Sequence, residues 1–599
     1  MNQTVMKYLS TFFLTLLSVF AFSQSFLIEA ESFEEKGGWY VDPQFVEQMG
    51  SPYLLAHGLG EPVENAHTTV EFKDGGKYHV WVRTKNWVPG NWTPPGRFKV
   101  RVASQLLEPE FGNEPEWSWE YGGEVDITKG NVKLELIDLT GFDGRCDAIY
   151  FSKQKQAPPA ELAELGKWRL KVTQKPAKPE KTMEFDYVIV GGGIAGCASA
   201  IAAAEQGLKV ALIHDRPVLG GNASSEIRVH TLGIYGHFER ILRMLDTKHY
   251  PNGSPEAYAE DQKRHRYMAR YPNIHLFLNY RAYGVEAQQN KIQSVDASHT
   301  HTGERIRFVA PYFADCTGDG WIGYWAGAEY MYGRESVHKY NEGWEEFGEL
   351  WSPEVADNVV MGSSVLWRSY TDDKPSTFPD VPWAMEVAKE YAADQGEWQW
   401  EYSNADVHQI EDAEQIRDHM LRAIYGSFAN YKKKPKTEKQ RLEWVSYLLG
   451  KRESRRLVGD YIFNFNDAKN RTPFPDSVVM EIREVDVHFQ QNLVDPEKPD
   501  FLSKAMFFKT GKYYIPYRSL YSKNISNLFM AGRCFSTTHV GLGGPRVMKT
   551  TGQMGAAVGF AASLCVKYKV SPRELYQKHL DEYMNLIQIQ KAGYNSIFP

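Results

Sequence analysis

Early in the chain, apolar and polar residues alternate with period two. Tyr78, Val80 and Val82 share one face of a first stretch, Phe98, Val100 and Val102 of a second, and Val132, Leu134 and Leu136 of a third. Such alternation sets one face of each strand against a core, and Asp74, Gly75 and Gly76 supply a turn. The pattern predicts an antiparallel β-sandwich over about residues 25–153. Residues 154–182, rich in Pro, Lys, Ala and Glu, predict a linker carrying one short helix. From residue 183 the pattern changes. Phe185 to Val190 is an almost continuous apolar strand, the type buried on both faces of a parallel sheet. A glycine turn, a helix of small residues to about Gln206 and a further strand, 208–213, follow. The expected fold is therefore multidomain: an antiparallel β-sandwich, then an α/β Rossmann-type domain over 183–599 with a variable substrate region at about 335–510.

Ahead of the sandwich, Lys7 precedes an apolar run from Phe12 to Phe22, closed by Ala21, Phe22, Ser23 and Gln24. The run falls well short of the ~20 apolar residues that span a bilayer, so residues 1–24 read as a secretory signal and not a membrane anchor. That address places the mature protein in a periplasm or outside the cell.

The turn after the first apolar strand is a GxGxxG motif at Gly191, Gly193 and Gly196. The first glycine permits a sharp turn, the second lets backbone approach a pyrophosphate, and the third lets helix pack on strand. The following helix N-terminus offers N–H groups and a positive dipole end to the phosphates. The position at the end of the second strand, where a ribose-binding carboxylate is usual, holds His214; the acid, Asp215, comes one residue later. Asp215 either reaches the ribose or caps the following loop.

Three further motifs follow in order. They are Leu219, Gly220, Gly221 and Asn222, a second glycine turn read as feeding a helix; Thr317, Gly318, Asp319 and Gly320 after a strand; and Ala531, Gly532 and Arg533 after another, followed by Gly541, Gly543, Gly544 and Arg546. Together they resemble the FAD-dependent oxidoreductases of the glutathione-reductase fold, and most closely the branch found beside polysaccharide-degradation genes. The resemblance covers about Phe185 to Leu564. It implies FAD as cofactor, with Gly220, Gly221 and Asn222 along the flavin and Asp319, flanked by Thr317 and Gly318, at the ribityl–pyrophosphate end. Gly532, Arg533, Gly543 and Gly544 would contact the cofactor near the far side of the ring.

Oxidation of a hydroxyl by flavin sends a hydride from the substrate C–H to N5, while a base removes the O–H proton. Histidine is the usual base near neutral pH. His539, downstream of Arg533, is the leading candidate, the alternative being a cap for the next helix. His488 is the second, the alternative being a core histidine paired with Asp486. The run Lys451, Arg452, Glu453, Ser454, Arg455, Arg456 also resembles a family motif. It offers Arg455 to the ring or substrate, or else forms an ion-paired helix face. Tyr517, Arg518 and Arg546 are candidate substrate-pocket residues.

In the sandwich, Glu29, Glu31 and Asp147 resemble the acids of galactose-binding-like carbohydrate-binding modules. That resemblance implies a structural Ca²⁺, a hard cation that prefers oxygen ligands. Trp87, Trp92, Trp117 and Trp119 offer stacking faces for sugars, or else pack the sandwich against the flavin domain. Composition narrows the field further: 68 basic and 75 acidic residues leave a net charge of −7 with no basic block, which argues against a nucleic-acid partner. Five scattered cysteines without a CxxC pair argue against zinc or thiol-redox sites. The expected activity is oxidation of a carbohydrate or glycoside hydroxyl. The alternatives are redox-neutral glycoside cleavage through a keto-sugar and β-elimination, and a glycan-binding protein without turnover.

Overall fold

The residues that alternate in sequence converge in space. Tyr78, Val80 and Val82, on the strand Gly76–Thr84, are at most 1% exposed, and Phe98–Val102 and Gly130–Asp138 bury their alternate residues in the same core. In this computed structural model, residues 25–592 are described; the segment read as a secretory signal lies outside them. Two antiparallel sheets form the sandwich. One runs Tyr40–Asp42, Tyr53–His57, Phe142–Ser152, Gly76–Thr84, Ser118–Ile127, with Ser25–Glu29 also paired to Phe142–Ser152. The other runs Ala66–Phe72, Gly130–Asp138, Phe98–Val102, Gln105–Leu106. The helix Leu162–Val172, in the stretch 154–182, is part of this unit, which extends to Lys178. Trp168 packs edge-on against Tyr150 with ring centres 5.0 Å apart, and Arg169 reaches Ser51 and Asp147.

The second unit, Pro179–His299 with the chain from Gly303 onward, is built on a parallel sheet. Its strands are β1 (Tyr187–Val190), β2 (Val210–His214), β3 (Ile274–Leu278), β4 (Tyr312–Asp315) and β5 (Leu528–Met530), in the order β3-β2-β1-β4-β5. Every residue of β1 is buried, which is why its sequence is apolar without alternation. Strand order reverses between β1 and β4, so their carboxyl ends open a crevice where ligands of such sheets bind. Helix α1 (Ile194–Glu205) follows β1, and α2 (Met548–Tyr568) lies along it. The approach is so close that a Cβ on Gly555 would collide with the Ala195 carbonyl.

Two elements differ from the sequence reading. The glycine turn at 220–221 feeds a single 3-10 turn, Gly221–Ala223, and the next α-helix starts only at Glu239. Gly220 and Gly221 both have left-handed φ, and the Ser225 N–H is taken by Asp261, so the chain turns instead of coiling. The charged run 451–456 is not a helix face either; it bridges two short strands, Gly450–Lys451 and Arg456–Leu457. All five cysteines are buried and unpaired, and no helix among the described residues is long and apolar enough to cross a membrane.

Candidate active site and cofactor cradle

The three glycines of the first turn do different work. Gly191 has φ +109° and its Cβ would collide with the Cys316 carbonyl, while a Cβ on Gly196 would strike the Gly191 carbonyl. Gly193 faces open space instead: a Cβ there meets nothing nearer than the Gly221 Cα at 4.0 Å. Gly193 is also the N-cap of α1, with no side-chain cap and no acid in the first turn. The free N–H groups and positive end of a twelve-residue helix therefore face a cleft floored by glycine.

His214 braces this turn. It is 4% exposed; Gly192 N–H donates to its Nδ1 at 3.1 Å, so the ring proton sits on Nε2 and goes to the Val218 carbonyl at 3.0 Å. Burial, with help from Arg216 and against Asp215, brings its pKa down to about 4, so the ring is neutral. Asp215, at the next position, is partly exposed and lies 3.3 Å from Arg281. Burial pushes its carboxyl up, but His214, Arg216 and Arg281 outweigh this and hold it below the ordinary value.

The second and third motifs meet at Asp319. Its carboxylate accepts Lys451 Nζ at 2.8 Å, Arg533 Nη2 at 2.7 Å and Ser454 Oγ at 2.8 Å. Burial alone would raise this carboxyl, yet Lys451 and Arg533 hold it far below the carboxylate range. A Cβ on Gly318 would collide with the Arg533 guanidinium, and Arg533 Nε is buried without a hydrogen-bond partner. Asn222 Nδ2 donates to the Lys451 carbonyl at 3.2 Å, joining the 220–222 turn to the same knot. Gly532, with φ +103°, faces α1 at Ala195. Thr317 instead shapes its own turn, donating from N–H and Oγ1 to Asp315 Oδ1. An uncapped helix end, a bare glycine floor and an unpaired buried guanidine N–H fit a dinucleotide pyrophosphate and its flanking riboses.

The run 451–456 carries these contacts on to two histidines. Arg452 donates to Ser364 Oγ at 2.6 Å and the Trp398 carbonyl at 2.7 Å, and lies 3.3 Å from Glu401. Glu401 in turn accepts His488 Nδ1 at 2.6 Å and Ser503 Oγ at 2.9 Å. Burial pushes Glu401 up, but Arg452 and His488 bring it to about 2, so an ionised carboxylate stands behind the imidazole. On the other side of the ring, Arg546 Nη2 donates to Nε2 at 3.0 Å and Asp486 Oδ1 is 3.1 Å away. Because a guanidinium only donates, Nε2 is the accepting nitrogen and the proton on Nδ1 points to Glu401. Trp398, 40% exposed, packs edge-on against His488 at 5.3 Å.

Glu453 holds the other histidine, His539, through Nδ1 at 2.8 Å, and also pairs with Arg456 at 2.8 Å. His539 opens the short helix His539–Leu542, its N–H donates to Glu335 at 2.8 Å, and it is 1% exposed. Arg455 is stacked on Tyr324 and Trp321 at 3.8 and 4.5 Å, with one contact to the Asp319 carbonyl. Gly543 packs against the Asp486 backbone, and a Cβ on Gly544 would collide with Tyr513 Oη. Both serve the close passage of the loop leading to Arg546.

Tyr517 and Arg518 stand apart from this site. Tyr517 is fully buried, donates to the Pro572 carbonyl and packs on Tyr521 and Tyr583, so no face is left for a substrate. Arg518 forks onto Asp476 at 3.0 Å through both nitrogens. The sequence reading missed Glu401, for which no motif exists, and gave Lys451, Glu453 and Ser454 no separate roles.

In the sandwich unit, Glu29, Glu31 and Asp147 come within 4.8 Å of one another. Arg83 and Arg169 both pair with Asp147, and Arg169 also lies 3.0 Å from Glu29, whereas Glu31 Oε2 is buried without a hydrogen-bond partner. Burial, then Glu29 and Asp147, push the Glu31 carboxyl well up. A set of hard oxygens with one uncompensated carboxylate fits Ca²⁺. Trp87 and Trp119 are spent on packing: their indole N–H groups donate to the Phe142 and Pro159 carbonyls.

Known proteins share parts of this chain. A stretch 23% identical over 147 residues, 24% of this chain and 22% of the relative, is shared with a CoB–CoM heterodisulfide reductase iron-sulfur protein of Methanopyrus kandleri. Another, 31% identical over 71 residues, covers 12% of this chain and 10% of the mitochondrial glycerol-3-phosphate dehydrogenase of Rattus norvegicus. Matched segments thus span under a quarter of either relative. Among solved structures, E. coli quinol fumarate reductase FrdA is 13% identical, with 68% of this chain and 75% of that chain covered and a TM-score of 0.27. A family 35 carbohydrate binding module from Clostridium thermocellum is 17% identical, with 21% of this chain and 96% of that chain covered and a TM-score of 0.18. Across residues 186–584 the sequence matches the FAD dependent oxidoreductase family, and the chain is a member of that family, an enzyme whose cofactor is FAD.

Proposed function

We propose that this enzyme oxidises a hydroxyl of a carbohydrate or glycoside, in a periplasm or outside the cell, with His488 as the base. The observation that carries the reading is the Glu401–His488 pair at 2.6 Å, which makes Nε2, now accepting from Arg546 at 3.0 Å, the basic nitrogen beside the half-exposed Trp398. Bound FAD supplies the two-electron acceptor for such a reaction. The chain's own residues bind, orient and move the proton. Gly193 and the start of α1 would hold the pyrophosphate, with Asp319, Lys451 and Arg533 beside it. Glu401 fixes the His488 ring, and the substrate hydroxyl would displace the Arg546 N–H from Nε2 to hand over its proton there. On taking the proton, the imidazolium lies between Glu401 and Asp486, two carboxylates that favour its charge. Trp398 offers an aromatic face of the kind sugar rings stack upon.

His539 is the second candidate base, since Glu453 orients it in the same way at 2.8 Å. His539 is 1% exposed against 5% for His488, and the 40% exposed Trp398 lies against His488, which favours His488. In the sandwich we propose that Glu29, Glu31 and Asp147 take a Ca²⁺ of structural value. The test of the function is anaerobic mixing of the purified holoenzyme with a panel of glycan fragments. Lasting bleaching of the flavin band supports net oxidation. Cleavage products without lasting bleaching would replace it with the redox-neutral route, and no response across the panel would refute a carbohydrate substrate.

A further inference from the structure

The environment of His488 holds guanidine donors that its acceptors do not satisfy. Three guanidinium groups, Arg452, Arg483 and Arg546, lie among the carboxyl groups of Glu401, Asp486 and Glu481. The donors are unevenly used. All the side-chain hydrogen bonds of Arg546 among the described residues leave from Nη2, to the Asp486 carbonyl, the Asp486 carboxylate and His488. Its Nε is buried without a partner. Arg483 repeats the arrangement, with Nη2 on Asp486 at 2.8 Å and Nε buried and unpartnered. Buried guanidine N–H groups without acceptors are costly, and a ligand oxyanion would satisfy them. Burial, reinforced by Arg452 and Arg483 and opposed by Asp486 and Glu401, brings the Arg546 pKa down to about 10.

Beside the same imidazole stands an aromatic ring. Trp398 is 40% exposed, lies edge-on to His488 at 5.3 Å, and its own carbonyl anchors Arg452 at 2.7 Å. An apolar ring face and an unfilled basic edge thus flank one imidazole. Resting on the carbohydrate reading above, we infer that the substrate is an acidic sugar, with its ring against Trp398 and a carboxylate or sulfate ester received by Arg546 with Arg483. The anionic group would fix the ring so that one hydroxyl faces His488 Nε2.

The experiment compares methyl glucuronide, a glucose sulfate and neutral methyl glucoside as reductants of the holoenzyme flavin under anaerobic conditions. It also measures equilibrium binding of each sugar by calorimetry. The inference expects at least one acidic sugar to exceed the neutral one by tenfold or more in kcat/KM and in affinity. Which acidic sugar wins separates carboxylate from sulfate. Arg546→Gln should shrink the acidic-to-neutral ratio, mainly through KM, and Arg546→Lys should restore part of it. The ratio cancels any general loss of activity in the variant. Equal or better use of the neutral glucoside overturns the acidic-sugar inference and leaves the carbohydrate reading standing. No reduction and no binding by any of the sugars overturns both.

Discussion

Lys451 and Asp319 are 132 positions apart in sequence and meet at 2.8 Å. Lys451 belongs to a run that also sends Arg452 to Glu401 and Glu453 to His539, while Asp319 belongs to the turn after β4 and holds Arg533. One ion pair therefore joins the cofactor cradle to the residues proposed to move protons. Lys451→Met removes a cation from a largely buried carboxylate, a loss of about 3 kcal/mol when one partner of such a pair is deleted. Chemical denaturation of the apoprotein should show that loss, and the variant should purify with much less flavin per chain. Wild-type flavin content would contradict the role given to this pair.

Two neighbouring glycines should respond differently to the same change. Gly193→Val places its side chain in the open cleft, so the apoprotein should melt near the wild-type temperature and carry no flavin. Gly191→Val meets the Cys316 carbonyl at a left-handed φ and should lower the melting temperature itself. If Gly193→Val keeps its flavin, the pyrophosphate does not lie where α1 begins.

Glu342, 1% exposed, sits near Glu335 and accepts from Thr538 Oγ1 at 2.6 Å and Phe465 N–H at 2.5 Å. Burial, with Glu335, raises its pKa to about 8 from an ordinary 4.5. The folded protein then holds a proton that the unfolded chain releases between these values. Its contribution is complete below pH ~4.5 and fades as pH rises through ~8. Melting temperature followed from pH 5 to 9 should fall toward alkaline pH, less steeply in Glu342→Gln. Parallel curves for the two proteins would count against a protonated Glu342.

The carboxylates of the sandwich predict a metal effect. Ca²⁺ should raise the melting temperature of the unit, and Glu31→Gln should abolish the increment while stabilising the metal-free protein, since it removes a carboxyl whose ionisation burial and its acidic neighbours oppose. An unchanged melting curve at millimolar Ca²⁺ would leave Arg83 and Arg169 as the only cations this cluster uses.

Local chemistry explains which parts were legible in the sequence. Alternation at 78, 80 and 82 and the unbroken apolar run of β1 report burial on one face and on two, and the glycine turn reports backbone geometry at consecutive positions. Those signals are short-range, and the sandwich core, the parallel sheet and the α1 turn follow from them. The knot at Asp319 was visible only as separate motifs, because its partners come from 319, 451, 454 and 533. Glu401 carried no signal at all: it lies on a two-residue strand, Glu401–Tyr402, and gains meaning only from His488, 87 positions away. Tyr517 misled for the converse reason: its place in the run just before strand β5 suggests a pocket wall, whereas its hydroxyl is spent on Pro572.

The account rests most directly on which histidine takes the proton. Rapid anaerobic mixing with a reducing sugar substrate, following the flavin band in wild type, His488→Ala and His539→Ala, measures this step alone. His488→Ala should keep its colour and lose about a hundredfold or more in the rate of reduction. His539→Ala should lose stability through the lost Glu453 hydrogen bond while its reduction rate stays near wild type. A His488→Ala enzyme that bleaches at the wild-type rate would contradict the assignment and the proposed site with it.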